Sequence, residues 1–271
     1  MNLSAAGTGR IFAIANQKGG VGKTTTAINL ATALAACGKQ VLLVDIDPQG
    51  NATTGLGIAR DQVERDAYDV LVDGVPMADA ILPTQVPQLS IVPGGVDLAG
   101  AELELAQAKE REFRLRQALA PIAGRYDFVL IDCPPSLNLL TVNALSAASA
   151  VLVPLQCEYY ALEGLSQLMK TVDLVKRNLN PTLEIQGVVL TMYDRRNNLC
   201  DMVAADVRQH FGAKVYDTMI PRNIRLSEAP SHGKPALLYD LRCAGSQAYI
   251  HLAGEVLRRE QPASVPAGVG A

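Results

Sequence analysis

The chain has 271 residues, 49% of them hydrophobic, enough to bury a substantial core as one domain. Its formal net charge of −3 excludes attachment to nucleic acid by bulk charge alone, and its longest apolar runs fall well short of the ~20 residues that a membrane-spanning helix needs. Five scattered cysteines, with no Cys-x-x-Cys pair, read as free thiols of a reducing cytosol and not as a disulfide framework or a zinc site.

Residues 1–9 form a short extension without the apolar core of a secretory signal. An apolar run at 11–15 predicts the first strand, and helical spacing over 24–36 predicts a helix that stops at Cys37-Gly38. Between them stands Asn16-Gln17-Lys18-Gly19-Gly20-Val21-Gly22-Lys23-Thr24-Thr25. Strand, glycine-rich turn and helix is the setting of a phosphate-binding loop. Backbone N–H groups from Gly19, Gly20, Val21, Gly22, Thr24 and Thr25 would face phosphate oxygens, and the helix N-terminus and Lys23 would add positive charge. Thr24 offers a hydroxyl where Mg2+ bridging the outer phosphates needs a ligand. The usual pattern would place a glycine at position 17; this chain has Gln17 there and a second lysine, Lys18, beside it.

Further along, strands are predicted over 41–45, 89–93, 128–132, 150–154, 185–192 and 214–216, and helices over 102–119, 139–146, 162–178, 199–211 and 246–259. Residues 50–88 read as an irregular, acidic, mobile stretch, and the small, proline-containing tail 261–271 as disordered. Continuously apolar strands call for helices on both sheet faces. The expected fold is therefore α/β: a single doubly wound domain over 10–260, its mostly parallel sheet flanked by helices and its ligands at the carboxyl ends of the strands. The phosphate loop, Asp45, Asp47 and Asp132 all fall at such ends. Asp132 sits where an acidic residue would hold magnesium, and Asp45 is read as supporting the metal or its water shell. Charge is uneven: residues 41–110 carry twelve acids against three bases, and residues 190–234 seven bases against five acids. A slightly acidic chain of this kind still has room for a basic face.

The lysine-bearing loop resembles the deviant phosphate loop of the family that includes ParA-type partitioning ATPases, MinD-type division-site ATPases and the nitrogenase iron protein. The resemblance runs through Val41–Asp45 and on to Asn51, through Asp132-Cys133-Pro134-Pro135-Ser136, Cys157-Glu158-Tyr159-Tyr160-Ala161-Leu162-Glu163-Gly164 and Ile220-Pro221-Arg222-Asn223. The last two segments are similar to the chromosomal ParA branch, also called Soj. The resemblance implies a cytoplasmic, nucleoid-associated ATP hydrolase with a weak basal rate, using ATP and Mg2+. In it Asp47 orients the attacking water, and Lys18 crosses a homodimer interface to the partner's ATP, with Gly19 where the two loops pass. Met192, Pro221, Arg222 and Asn223 would border the adenine, and Arg196 and Arg225 would touch double-stranded DNA without sequence preference. A ParB-like centromere-binding partner would stimulate hydrolysis and release. A MinD-type protein should end in a basic amphipathic helix for a membrane surface, whereas Leu252, Val256 and Leu257 in the last helix are spaced for packing on its own domain. An iron–sulfur reductase needs paired interface cysteines, and the surroundings of Cys133 and Cys157 match the partitioning branch better.

Overall fold

The computed structural model describes residues 9–261. Seven strands form one sheet: β1 (Arg10–Ile14), β2 (Val41–Asp45), β3 (Leu82–Pro83), β4 (Leu89–Val92), β5 (Phe128–Asp132), β6 (Ala150–Gln156) and β7 (Glu184–Thr191), in the spatial order β3-β4-β2-β5-β1-β6-β7. Every neighbouring pair is parallel except β3 with β4. Ten α-helices accompany them among the described residues: α1 (Lys23–Ala36), α2 (Asn51–Gly55), α3 (Ala101–Glu104), α4 (Arg114–Leu119), α5 (Leu139–Ala147), α6 (Ala161–Asn178), α7 (Asn198–Phe211), α8 (Ile224–Glu228), α9 (Ala236–Tyr239) and α10 (Ala244–Glu260).

Successive strand residues point to opposite faces, and the central strand shows the result. Phe12 and Ile14 join one core with Leu30 and Leu34 of α1 and Leu252 and Val256 of α10. Ala13 joins the other with Leu140 of α5, Leu168 of α6 and Val207 of α7. Both faces are thus covered, as continuously apolar strands require. From β1 the chain works outward through β2 and β4, returns at β5, and then crosses to β6 and β7 on the other side. The direction of winding reverses beside β1, the place where folds of this kind bind their ligands.

Several sequence expectations change. The helix expected over 102–119 is broken into α3 and α4, with single 3-10 turns at Leu105–Gln107 and Arg111–Phe113. Glu110 adopts a left-handed backbone (φ 53°) at the break, which no continuous helix accommodates. The strand expected at 214–216 contributes a single parallel bridge, Val215 to Val188. Residues 50–88 are more ordered than their composition suggests: they hold α2, short 3-10 turns, a π turn at Asp69–Asp73 and β3. The extension and the tail fall, apart from Gly9 and Gln261, outside the described residues. No helix among those described is long and apolar enough to cross a membrane.

Candidate active site

The loop after β1 is anchored before it begins to wrap. Asn16 is buried; its side-chain amide donates to the Pro154 carbonyl (2.7 Å) on neighbouring β6, and its Oδ1 accepts the Lys18 N–H (3.0 Å). On the other flank the Thr191 hydroxyl, closing β7, donates to the Val21 carbonyl (2.8 Å). Gly22 then takes φ 88° as the residue before α1, a left-handed conformation that leaves the loop's N–H groups free to turn inward. α1 has no side-chain cap at this end. Its first N–H groups are available to an anion, as the helix dipole favours. Lys23 is buried, and its ammonium donates to the Lys18 carbonyl (3.0 Å), so the cation lies across its own loop. Burial lowers its pKa, while Asp132, Cys133 and Asp47 nearby oppose that shift.

Three carboxylates gather beside the loop. Asp45 and Asp132 end β2 and β5 in register with each other, and Asp132 also pairs in register with Ile14 of β1. Both acids are completely buried. Asp45 is well partnered: Oδ2 accepts from the Thr53 N–H (2.9 Å) and hydroxyl (2.8 Å), and Oδ1 from the Asp47 N–H (3.2 Å). Burial still pushes its carboxyl up to about 6. The chain at Gly94 crosses this carboxyl so closely that a Cβ there would lie 2.8 Å from the Asp45 carboxyl carbon. Asp132 differs, because neither of its oxygens has a hydrogen-bond partner. Burial first, then the charge of Asp45, raises its pKa well above the usual carboxylate range. The Thr24 hydroxyl and the Lys23 ammonium counter this only in part, and Thr24 is not placed to bond to it. Asp47 is buried at the turn, its Oδ1 accepting the Gln49 N–H (3.0 Å).

A buried, unpartnered carboxylate beside a threonine hydroxyl and a phosphate loop is what a magnesium ion fits. Among the described residues no group of three or more His, Cys, Asp or Glu side chains is arranged to hold a metal unaided. Magnesium rarely needs one, since it keeps waters and shares its shell with phosphate. Asp45 is committed to the β2–α2 turn on every bond it makes, so Asp132 and Thr24 are the side chains that could donate to such an ion directly. Cys133 is buried and burial holds its thiol protonated, so it adds no nucleophile.

The residues expected around the base also come together. Met192 follows β7 with a left-handed backbone (φ 49°). Tyr193 bridges to Pro221, and the Arg222 N–H donates to the Tyr193 carbonyl (3.1 Å). Asn223 caps α8 by accepting the Arg225 N–H (2.9 Å). Because Thr191 is bonded to Val21, this pair of loops is tied to the phosphate loop. A cleft of about 770 Å³ opens beside it, lined by Tyr193, Arg195, Arg196, Arg222, Gln247 and His251, among others. The two expected DNA contacts are each paired with acids of their own. Arg196 is 89% exposed and makes a two-pronged bond to Asp194 (2.9 and 3.0 Å) that holds the aspartate down to about 2. Arg225 pairs with Glu228 (2.8 Å) and Asp240 (3.6 Å).

Asn16, Thr53, Gly94, Glu158 and Thr191 take roles here that the sequence alone does not assign to them. Asn16 and Glu158 lie inside the runs that carry the family resemblance, but nothing in their spacing announces a bond to residues 138 or 140 positions away.

Residues 9–185 match the family described as AAA domain. Over 254 residues the chain is 65% identical to the chromosome partitioning protein ParA of Caulobacter vibrioides (strain NA1000 / CB15N), covering 93% of this chain and 95% of that protein. It is 58% identical over 248 residues to the sporulation initiation inhibitor protein Soj of Bacillus subtilis (strain 168), covering 92% and 98%. Among solved structures, cobyrinic acid a,c-diamide synthase from Mycobacterium smegmatis, with a bound ATP analogue and magnesium, superposes with a TM-score of 0.81 at 39% identity, covering 92% and 95%. Sequence, fold and the two-lysine loop agree: the chain belongs to the ParA/Soj family of partitioning ATPases.

Proposed function

We propose that this chain is an ATP-driven DNA-segregation switch whose ATP-bound homodimer holds nonspecific double-stranded DNA and lets go on hydrolysis. The observation that carries the reading is the unpartnered Asp132 carboxylate at the foot of a loop bearing two lysines. It supports a site built for a metal–triphosphate and incomplete without one. The Mycobacterium smegmatis structure holds an ATP analogue and magnesium on the same fold. In this chain Lys23 and the N–H groups from Gly19 to Thr25 would cradle the phosphates, and Asp132 and Thr24 would hold Mg2+, which would supply positive charge to the phosphates.

Asp47 would orient a water in line with the γ-phosphorus. As the water oxygen bonds to phosphorus, the bond to the β-phosphate oxygen breaks, and Lys23 and the loop N–H groups stabilise the charge on the leaving oxygen. A weak basal rate that a ParB-like partner would raise belongs to the same reading. Lys18 would reach the partner's nucleotide, and the residues 192 and 221–223 would border the adenine. The apolar face of α10 is packed against α1, with Leu252 and Val256 fully buried, so it is not free to lie on a membrane.

The test is DNA binding by the full chain with ATP and magnesium, with ADP, and without nucleotide, on unrelated DNA sequences. Binding is expected with ATP only and equally on all sequences. Equal binding in all three nucleotide states would overturn the switch.

A further inference from the structure

The Lys18 ammonium is already occupied in the single chain: it is paired with the Glu158 carboxylate. We propose that Glu158 is a positioning residue that holds Lys18 at home, so that only a ligand outcompeting it, the γ-phosphate of a partner's ATP, draws the lysine across. The inference rests on the sandwich-dimer reading and gives that dimer a source of selectivity between ATP and ADP.

The topology builds this pair. Lys18 lies four residues past the end of β1 and Glu158 two past the end of β6, and β1 and β6 are parallel neighbours. Asn16 fixes the spacing, joining the Pro154 carbonyl of β6 to the Lys18 N–H. Glu158 is itself in a tight turn, its N–H bonded to the Gln156 carbonyl and its carbonyl to the Ala161 N–H (2.9 Å each). Both backbones are therefore held while both side chains, about 40% exposed, remain able to swing. The neighbouring Tyr159 and Tyr160 are 77% and 64% exposed and pack edge-on with centroids 5.0 Å apart. Such an exposed aromatic pair marks a face that another surface covers.

A half-exposed ion pair does little for the fold: it shifts an equilibrium by at most about fivefold. Its effect on association is larger in proportion. Two lysines must leave two glutamates for one symmetric dimer to close, so the pair weakens dimerisation by up to about 25-fold. Each freed carboxylate then stands near the phosphates that Lys18 has joined, which penalises closure on any nucleotide with too few charges to hold the lysine. ADP lacks the terminal phosphate, so on ADP the lysine stays with Glu158.

The experiment measures dimerisation by sedimentation with a non-hydrolysable ATP analogue and with ADP, on the full chain, for Glu158→Gln, Glu158→Asp and Lys18→Met. Glu158→Gln should tighten the analogue-bound dimer by about 2- to 25-fold and narrow its preference over ADP. Glu158→Asp, keeping the charge, should stay nearer the unsubstituted protein. Urea unfolding of the nucleotide-free chain across Glu158→Gln, Lys18→Met and the double variant isolates the pair itself. Non-additivity of up to about fivefold in the unfolding constant is expected. Additive effects would remove the pair and overturn the proposal. Weaker or unchanged dimerisation in Glu158→Gln, while Lys18→Met abolishes the dimer, would overturn it and leave the sandwich standing. If Lys18→Met dimerised normally, the sandwich and this proposal would fall together.

Discussion

Asp45 and Asp132 stand side by side at the ends of adjacent parallel strands, both fully buried, yet one is bonded by three donors and the other by none. Two carboxylates in one dry site repel each other, and here the repulsion is felt at Asp132. In the nucleotide-free protein ionisation of Asp132 is therefore disfavoured, and a cation beside it would reverse that.

Asp132→Asn should stabilise the nucleotide-free fold by about 1–3 kcal/mol while removing magnesium-dependent turnover. The pH dependence follows from the direction of the shifts. An acid whose pKa is raised on folding binds more protons folded than unfolded, so its contribution is present at low pH and is lost as pH rises. For Asp45, raised from 3.8 to about 6, that loss falls between about pH 4 and 6 and amounts to at most about 3 kcal/mol. The advantage of Asp132→Asn should likewise grow as pH rises and shrink in acid, as the native carboxyl takes its proton. Urea melts across this range check both; a variant less stable than the native chain at neutral pH would refute the prediction.

Asp47→Ala should separate binding from hydrolysis. The phosphate cradle is untouched, so ATP should still bind and the dimer persist, with turnover reduced about 100-fold. Lys23→Ala, by contrast, removes the buried cation and should abolish both turnover and ATP-dependent dimerisation. Phosphate release and sedimentation on the two variants distinguish these outcomes, and a monomeric Asp47→Ala with ATP would assign the residue to binding.

Gly19→Val should spare the monomer and damage the dimer. A Cβ at this position would meet only the Pro135 Cβ, at 3.9 Å, so the single chain has room for it. Melting temperature and ATP affinity should be within error of the native values, while ATP-dependent dimerisation is lost. Normal dimerisation would show that the two loops do not pass at Gly19.

Arg196 and Arg225 must leave their acids to reach a phosphate, so their contribution should depend strongly on salt. Removing one arginine from a DNA phosphate flattens log affinity against log salt by about 0.9. The double Arg196→Ala/Arg225→Ala variant removes four arginines from a dimer and should flatten the slope by about 3.6. Asp194→Asn should act in the opposite direction, freeing Arg196 and tightening binding to all sequences alike. Filter binding across a salt series reads all three, and an unchanged slope in the double variant places the DNA elsewhere.

The phosphate loop, the strand-end aspartates and the doubly wound sheet were legible because each depends on local sequence: an apolar run, a glycine turn, an acid where the run stops. What was not legible depends on contacts between distant segments or on local backbone and side-chain geometry. Thr53 lies in a stretch that composition marks as irregular, yet it becomes ordered because Asp45 is there to accept both its bonds. The break at Glu110 is set by a backbone angle that helical periodicity does not reveal. The pairing of Arg196 with Asp194 spans only two positions and is still hidden, since sequence shows neighbours but not which way they turn.

The sheet's margins have a consequence for how copies of this chain can associate. One edge is the two-residue β3, antiparallel, ending in Pro83, which has no N–H to offer; alongside the other, β7, runs the segment that bridges Val215 to Val188 and bonds the Tyr216 N–H to the Val188 carbonyl. Neither margin presents a long bare ladder for a neighbouring copy to extend. Crowded molecules can therefore meet through loops and helices and part again, without the strand exchange that would turn a reversible assembly into an aggregate.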